Sequence, residues 1–252
     1  MDDNLTLALE LADLADAMTL EQFRSDRLVV ETKPDLTPVT EVDRAVEQLL
    51  RKRIGEERPD HGVVGEEFGS EGGGHARWIL DPIDGTKNYV RGIPVFATLI
   101  ALQTDGVGTI GVCSAPALGR RWWAARGLGA FADGQPIGVS SVGHLGDAQL
   151  CHSSLNLLEA HGLGERFLAL ARRCWRTRGF GDFWMHCLVA EGAADVAVEP
   201  EVSLWDLAAL QVIVEEAGGR LTDLAGEARP DGGSVVTSNG LLHDEVVAAL
   251  RR

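Results

Sequence analysis

The rhythm of hydrophobic and polar positions changes along the chain and divides it. Leu7, Leu11, Leu14 and Met18 recur at the three- and four-residue spacing of one helix face, which predicts an amphipathic first helix ending near Phe23. Leu28-Val29-Val30 predicts a strand that leads into a polar loop over residues 32–40. Thr40 is placed to cap a second helix whose inner stripe is Val42, Val46, Leu49 and Leu50. Between residues 63 and 131, short apolar runs (95–102, 109–114 and 121–125) alternate with Gly, Pro and Asp turns, the pattern of an antiparallel sheet. Beyond about residue 139 helix and strand patterns alternate. Helices are predicted over 165–175, 182–191, 204–217 and 243–250, and strands over 195–198, 220–224 and 234–237. The reading is an α+β half over residues 1–138 and an α/β half over 139–252, packed as alternating helix and sheet layers. There is no internal repeat and no disordered tail, and a Gly-rich loop over 69–74 is a candidate mobile lid.

Composition narrows the function classes. A chain of 252 residues, 45% hydrophobic, can bury one large core or two apposed halves. A formal net charge of -15 argues against nucleic acid, whose phosphates demand a basic surface, and against an anionic membrane. Cys113, Cys151, Cys174 and Cys187 lie far apart with no CxxC spacing, as expected of thiols in a reducing cytoplasm. The N-terminus lacks a basic start and an uninterrupted apolar core, so no signal peptide is expected, and no apolar run approaches membrane-spanning length.

The candidate chemistry begins at Trp78-Ile79-Leu80-Asp81-Pro82-Ile83-Asp84-Gly85-Thr86-Lys87-Asn88. An apolar run delivers two carboxylates, three residues apart, into a turn closed by Pro and Gly. Carboxylates so close repel unless cations sit between them, which points to a divalent metal site. The amides of Gly85 and Thr86 could hold a phosphate oxygen. The alternative is ordinary Asp-Pro and Asp-Gly turn chemistry. Two further places bear on the choice. Gly62-Val63-Val64-Gly65 reads as a buried strand exposing Glu66 and Glu67 at its C-terminal end, where ligands gather in α/β folds. Asp206, three residues after Ser203, opens an apolar helix and fits either a capping box or a metal ligand.

The order Glu-Glu, then DPIDGT, then Trp205-Asp206 resembles the inositol monophosphatase superfamily of magnesium-dependent phosphatases acting on small phosphorylated metabolites. The resemblance runs from Lys33-Pro34-Asp35-Leu36-Thr37 through Asp43 to Glu216-Ala217-Gly218-Gly219 and Ser238-Asn239-Gly240. Within that superfamily the chain looks most like the actinobacterial type of histidinol-phosphate phosphatase, through TKPDLTPVTEVDRAVE, DPIDGTKNYVRGIPV, APALGRRWWAARG, RGFGDFWMHCLVAEGAADVAVEPEVSLWDLAAL and SNGLLHDEV. It implies a layered αβαβα sandwich with the site between the halves, and a homodimer. Carried over residue by residue, Glu66, Asp81 and the carbonyl of Ile83 ligate one metal, and Asp81, Asp84 and Asp206 a second. Oxygen ligands without His or Cys indicate Mg²⁺, with Mn²⁺ as a substitute, and the resemblance implies two or three ions per site. By the same resemblance, Thr86 hydrogen-bonds the attacking water and is oriented by Asp43, Glu67 orders a further metal or water, and the Gly85 and Thr86 amides bind phosphate. Asp43 also fits Thr40-x-x-Asp43, a helix-capping pattern. Lys87 is either a phosphate contact or a solvated side chain.

Substrate choice rests on Arg178-Gly179-Phe180-Gly181-Asp182 and on Glu199. Inositol-specific relatives carry a small uncharged residue in the turn after the Arg-x-x-Gly step, where this chain has Asp182, and place at the position of Glu199 an acid that binds substrate hydroxyls. Two acids facing the leaving group imply that it is cationic, as L-histidinol is. The alternative for Asp182 is a helix N-cap. Trp184 and His186 read as core or surface residues, Trp122-Trp123 as sheet or dimer packing, and His152, His161 and His243 suggest nothing as a set. Three functions follow in order: hydrolysis of L-histidinol phosphate in histidine biosynthesis; the same chemistry on inositol monophosphate, fructose bisphosphate or a 3′-phosphoadenylate; and non-catalytic binding of a phosphorylated metabolite.

Overall fold

Helix α1 (Asp3–Gln22) buries Leu5, Leu7, Ala8, Leu11, Ala12, Ala15 and Thr19. The predicted stripe is therefore rotated. Leu14 is 37% exposed and Met18 only partly buried. The small side chains of Ala8, Ala12 and Ala15 let the helix approach the sheet closely, so the contact line runs through them and not through the bulkier Leu14. The computed structural model describes residues 3–25, 28–32 and 38–251, so most of the loop read over 32–40, including Lys33-Pro34-Asp35-Leu36-Thr37, lies outside the described residues. Its flanks, β1 (Val30–Thr32) and β2 (Pro38–Thr40), pair as an antiparallel ribbon. Thr40 caps α2 (Glu41–Glu57) through a full capping box with Asp43, and α2 buries Val42, Val46, Leu50 and Ile54.

An eight-stranded sheet follows, built from β3 (Gly62–Gly65), β4 (Gly69–Glu71), β5 (Ala76–Asp84), β6 (Ala97–Thr104), β7 (Val107–Ala115), β8 (Arg120–Ala125), β9 (Gly129–Ala132) and β10 (Gln135–Ile137) in the spatial order β10-β9-β8-β7-β6-β5-β3-β4. It is antiparallel except at β3–β5, which are parallel. That exception arises because β4 folds back on the outer edge of β3 and the chain then returns to the inner side. Half of the expected Gly-rich lid is thus a strand. The short helix α3 (Thr86–Val90) follows β5 directly.

The second half contains β11 (Gln149–His152), α4 (Leu155–Ala160), α5 (Gly164–Ala171), β12 (Arg176–Arg178), α6 (Asp182–Ala190), β13 (Val196–Glu199), α7 (Leu204–Glu216), β14 (Arg220–Thr222), β15 (Val235–Ser238) and α8 (His243–Arg251). Its five strands order as β12-β11-β13-β15-β14. The helix expected over 165–175 stops at Ala171, because a turn brings Trp175, 64% exposed, into the start of β12. Strands β11 and β12 and helix α4 escaped the sequence pattern.

The layers follow from the buried clusters. Helices α1 and α2 pack one face of the eight-stranded sheet through Trp78, Leu80, Ile83 and Ile100. Its other face meets α6 and α7 through Ile79, Ala97, Leu99, Phe183 and Leu207. Helix α6 packs in turn on β11 and β13 of the five-stranded sheet, whose far side carries α4, α5 and α8. This is the αβαβα sandwich expected from the sequence. All four cysteines are free, and no described helix is long and apolar enough to cross a membrane.

Candidate active site

The site forms where β5 leaves the sheet. Asp81 and Asp84 are three residues apart and would point to opposite faces of a regular strand. Strand β5 is irregular there. Asp81 stands opposite Leu99 and Asp84 opposite Ala97, three steps along β5 against two along β6. The extra residue is a β-bulge, and it turns both carboxylates toward the face covered by α6 and α7. Asp206 comes to them from the first turn of α7, and one oxygen from each of Asp81, Asp84 and Asp206 lies within 4.8 Å of the others. Its two readings coexist: Asp206 Oδ2 accepts the Ser203 amide at 2.7 Å as a cap, while the carboxylate joins the acidic trio. Glu66, just past the end of β3, lines the same cleft, its amide bonded to the Leu80 carbonyl at 3.3 Å.

Electrostatics show what this arrangement needs. Burial, reinforced by the charges of Glu66, Asp84 and Asp206, holds Asp81 well above the usual carboxylate range. Burial and then the Asp182 charge do the same to Asp84, and Asp206 is pushed up to about 7, chiefly by burial. One buried oxygen, Asp81 Oδ1, has no hydrogen-bond partner. Desolvated acids with an orphaned oxygen fit a hard divalent cation, which would satisfy that oxygen and offset the repulsion.

Behind the trio, the hydroxyl of Thr86 lies 2.9 Å from the Ile83 carbonyl and 3.4 Å from Asp43 Oδ1. The other Asp43 oxygen takes the Thr40 amide at 2.8 Å and the Thr40 hydroxyl at 2.5 Å, so Asp43 caps α2 and faces Thr86 at once. Gly85 adopts φ 81 as the N-cap of α3, a left-handed conformation that glycine accepts without penalty.

The cleft, about 290 Å³ in volume, is also lined by Lys87, Asp182, His186 and Glu199, and the Phe183 amide beside Asp182 donates to Asp84 Oδ2 at 2.7 Å. Asp182 does not cap α6. The N-cap is Gly181, and the Asp182 carboxylate instead accepts from Asn88 Nδ2 at 3.0 Å. Asp182 also holds φ 47, unusual for a residue other than glycine. Burial, then the charge of Glu199, pushes it up to about 6, and burial takes Glu199 to about 7. His186, read in the sequence as a core or surface residue, is buried and also lines the cleft, with Nδ1 2.7 Å from Thr237 Oγ1 and Nε2 3.9 Å from Glu199. Burial pushes it down to about 4, so it is neutral. Its position four residues after Asp182, on the same helix face, was the available signal. Arg178 is not brought to the cleft: it is exposed at the end of β12 and donates to the Thr177 carbonyl. Glu67 does not line the cleft either, although its backbone is tied down beside it. Trp122 is fully buried and Trp123 stacks on Phe131 with centroids 4.2 Å apart, so both serve sheet packing.

Residues 1–252 match the model of the inositol monophosphatase family. The chain belongs to that family. Membership makes it a phosphoric monoester hydrolase, and it accounts for the acidic cluster able to hold metal. The chain is 59% identical to a histidinol-phosphatase of Mycobacterium tuberculosis (strain ATCC 25618 / H37Rv), covering 98% of each protein. It is 51% identical to a histidinol-phosphatase of Streptomyces coelicolor (strain ATCC BAA-471 / A3(2) / M145), covering 99% of this chain and 97% of that one. Among solved structures it superposes on the Thermotoga maritima IMPase with a TM-score of 0.89 at 32% identity, over 99% of this chain and 97% of the other.

Proposed function

We propose that this family member hydrolyses L-histidinol phosphate to L-histidinol and phosphate, the penultimate step of histidine biosynthesis, with Mg²⁺ as cofactor. The observation that carries the choice of substrate is the pair Asp182 and Glu199 lining the cleft beside the acidic trio, with Asp182 tied to Asn88 and free of any capping duty. Two carboxylates at the leaving-group end favour an ammonium over an uncharged polyol. The identity to two histidinol-phosphatases supports the same substrate.

In this reading Asp81, Asp84 and Asp206 would hold one metal, and Glu66, Asp81 and the Ile83 carbonyl another, with Mn²⁺ able to substitute. Bound metal supplies a water of lowered pKa and a counter-charge for the departing alkoxide. The chain's own groups do the rest. Thr86 donates its hydroxyl hydrogen bond to Asp43 or to the Ile83 carbonyl, which leaves its lone pairs free to accept a hydrogen bond from the attacking water and orient it. The amides of Gly85 and Thr86 hold phosphate oxygens, and Asp182 and Glu199 hold the amino alcohol. We further propose residues 1–138 and 139–252 as the two subdomains, from the change of rhythm near residue 139, a cytoplasmic location, from the free thiols, and a homodimeric assembly, from the family resemblance.

The test is phosphate release from L-histidinol phosphate, myo-inositol 1-phosphate, fructose 1,6-bisphosphate and 3′-phosphoadenosine 5′-phosphate, with and without Mg²⁺. The expected result is the highest kcat/KM on L-histidinol phosphate. Preference for an uncharged polyol would overturn the substrate assignment, and absence of Mg²⁺-dependent turnover on all four would favour a non-catalytic binder.

A further inference from the structure

Helix α2 carries a second buried acid one turn beyond Asp43. The side chain of Glu47 is 0% exposed, and both of its oxygens are engaged. Oε2 accepts the backbone amide of Glu67 at 2.7 Å, and Oε1 accepts that of Phe68 at 3.2 Å. Arg51, four residues on along α2, donates to Oε1 at 2.8 Å and reaches the Gly69 carbonyl with its other end. Gly65 makes room for the carboxylate, since a Cβ there would stand 2.0 Å from Oε1. The turn that presents Glu66 to the cleft is therefore held on both sides. Its own amide is bonded to the Leu80 carbonyl, next to Asp81, and the two amides after it are bonded to Glu47.

A buried ion pair seldom stabilises a fold more than apolar residues of the same shape would. What it can do, and apolar residues cannot, is satisfy two turn amides and fix their direction. We infer that Glu47 is a positioning residue for the metal site: with Arg51 and Gly65 it presets the Glu66-Glu67 turn so that Glu66 meets the cation already oriented. The inference rests on the proposed role of Glu66 as a metal ligand. Asp43 and Glu47, at i and i+4 on one face of α2, then support two different parts of the site from behind.

The experiment compares the whole protein with Glu47→Gln, Gly65→Ala and Glu66→Gln. Mn²⁺ binding to the metal-free proteins is measured by titration calorimetry, and phosphate release is followed against Mg²⁺ concentration. Loss of an outer partner of a metal ligand typically costs about 10-fold or more in metal affinity, and that loss is expected for Glu47→Gln and Gly65→Ala. KM for the ester should stay nearly unchanged at saturating metal, and raised Mg²⁺ should restore turnover. Parental Mn²⁺ affinity in both variants, with weak binding by Glu66→Gln, overturns the inference and leaves the metal assignment standing. Parental affinity in Glu66→Gln overturns the assignment itself. If a variant does not fold, amide exchange in the unmodified protein decides: the Glu67 and Phe68 amides must be strongly protected, and fast exchange of both overturns the inference.

Discussion

Asp182→Asn isolates the charge that is proposed to select the substrate. Asparagine has the same shape, tolerates the left-handed φ of 47 at this position, and offers a carbonyl to Asn88 Nδ2 in place of the carboxylate oxygen now 3.0 Å away. Only the negative charge is removed. A hydrogen bond to a charged group in a partly desolvated site contributes roughly 1.5–3 kcal/mol. At about 1.4 kcal/mol per factor of ten, KM for L-histidinol phosphate should rise about 10- to 100-fold. The ammonium is held equally in the ground and transition states, so kcat should change little. KM for myo-inositol 1-phosphate should be unchanged or lower, because a carboxylate facing its hydroxyls has gone. The assay is initial-rate phosphate release on both esters at saturating Mg²⁺, with the Mg²⁺ half-saturation measured in parallel. An unchanged KM for the cationic ester would show that Asp182 does not read charge. An equal loss on both esters would mean that the substitution had disturbed the neighbouring Asp84 and not the leaving-group wall.

Three other outcomes follow from the geometry. Thr86→Val removes the hydroxyl between Asp43 and the cleft and should lower kcat by about 10²-fold with KM little altered, since misplacing the attacking water costs on that order; near-parental kcat would remove Thr86 from the reaction. Asp206→Asn should abolish turnover yet raise the melting temperature of the metal-free protein at pH 8. A folded-state pKa of about 7 against an ordinary 3.8 means that this acid destabilises the fold progressively as pH rises through that window, and the amide removes the effect. A melting temperature no higher than the parent's would contradict that electrostatic account. His243, buried between Thr222 and Ser238, is pushed down by burial to about 4 from an ordinary 6.5. It therefore contributes stability that is full above pH 6.5 and is lost as pH falls toward 4. Urea midpoints of His243→Gln should fall less steeply over that range than those of the parent, and parallel curves would refute the assignment.

What the sequence disclosed depended on how local the cause was. The capping boxes at Thr40 and Ser203, the run into Asp81 and the helices from Asp182 and Leu204 are set by neighbours in the chain, and they appear where expected. Periodicity alone places Leu14 of α1 on the buried face, whereas the approach of the sheet leaves it exposed. The parallel pairing of β3 with β5 depends on the path of the 66–75 segment, which no alternation of side chains encodes. Asp182 looked like a possible cap in sequence, but its partner Asn88 is 94 residues away, and such a bond leaves no local trace. The same holds for Glu47, whose partners Glu67 and Phe68 lie about twenty positions further along. Arg178 is a site candidate through motif resemblance alone, and its side chain faces solvent.

The irregular step in β5 has a consequence for redesign. Pairing β5 with β6 in unbroken register, with all three steps from Asp81 to Asp84 kept, would swing the second carboxylate through to the oily side, against α1 and α2. A procedure rewarding only orderly hairpins would favour that regular strand and lose the catalyst in the same edit. The defect is the part that must be kept.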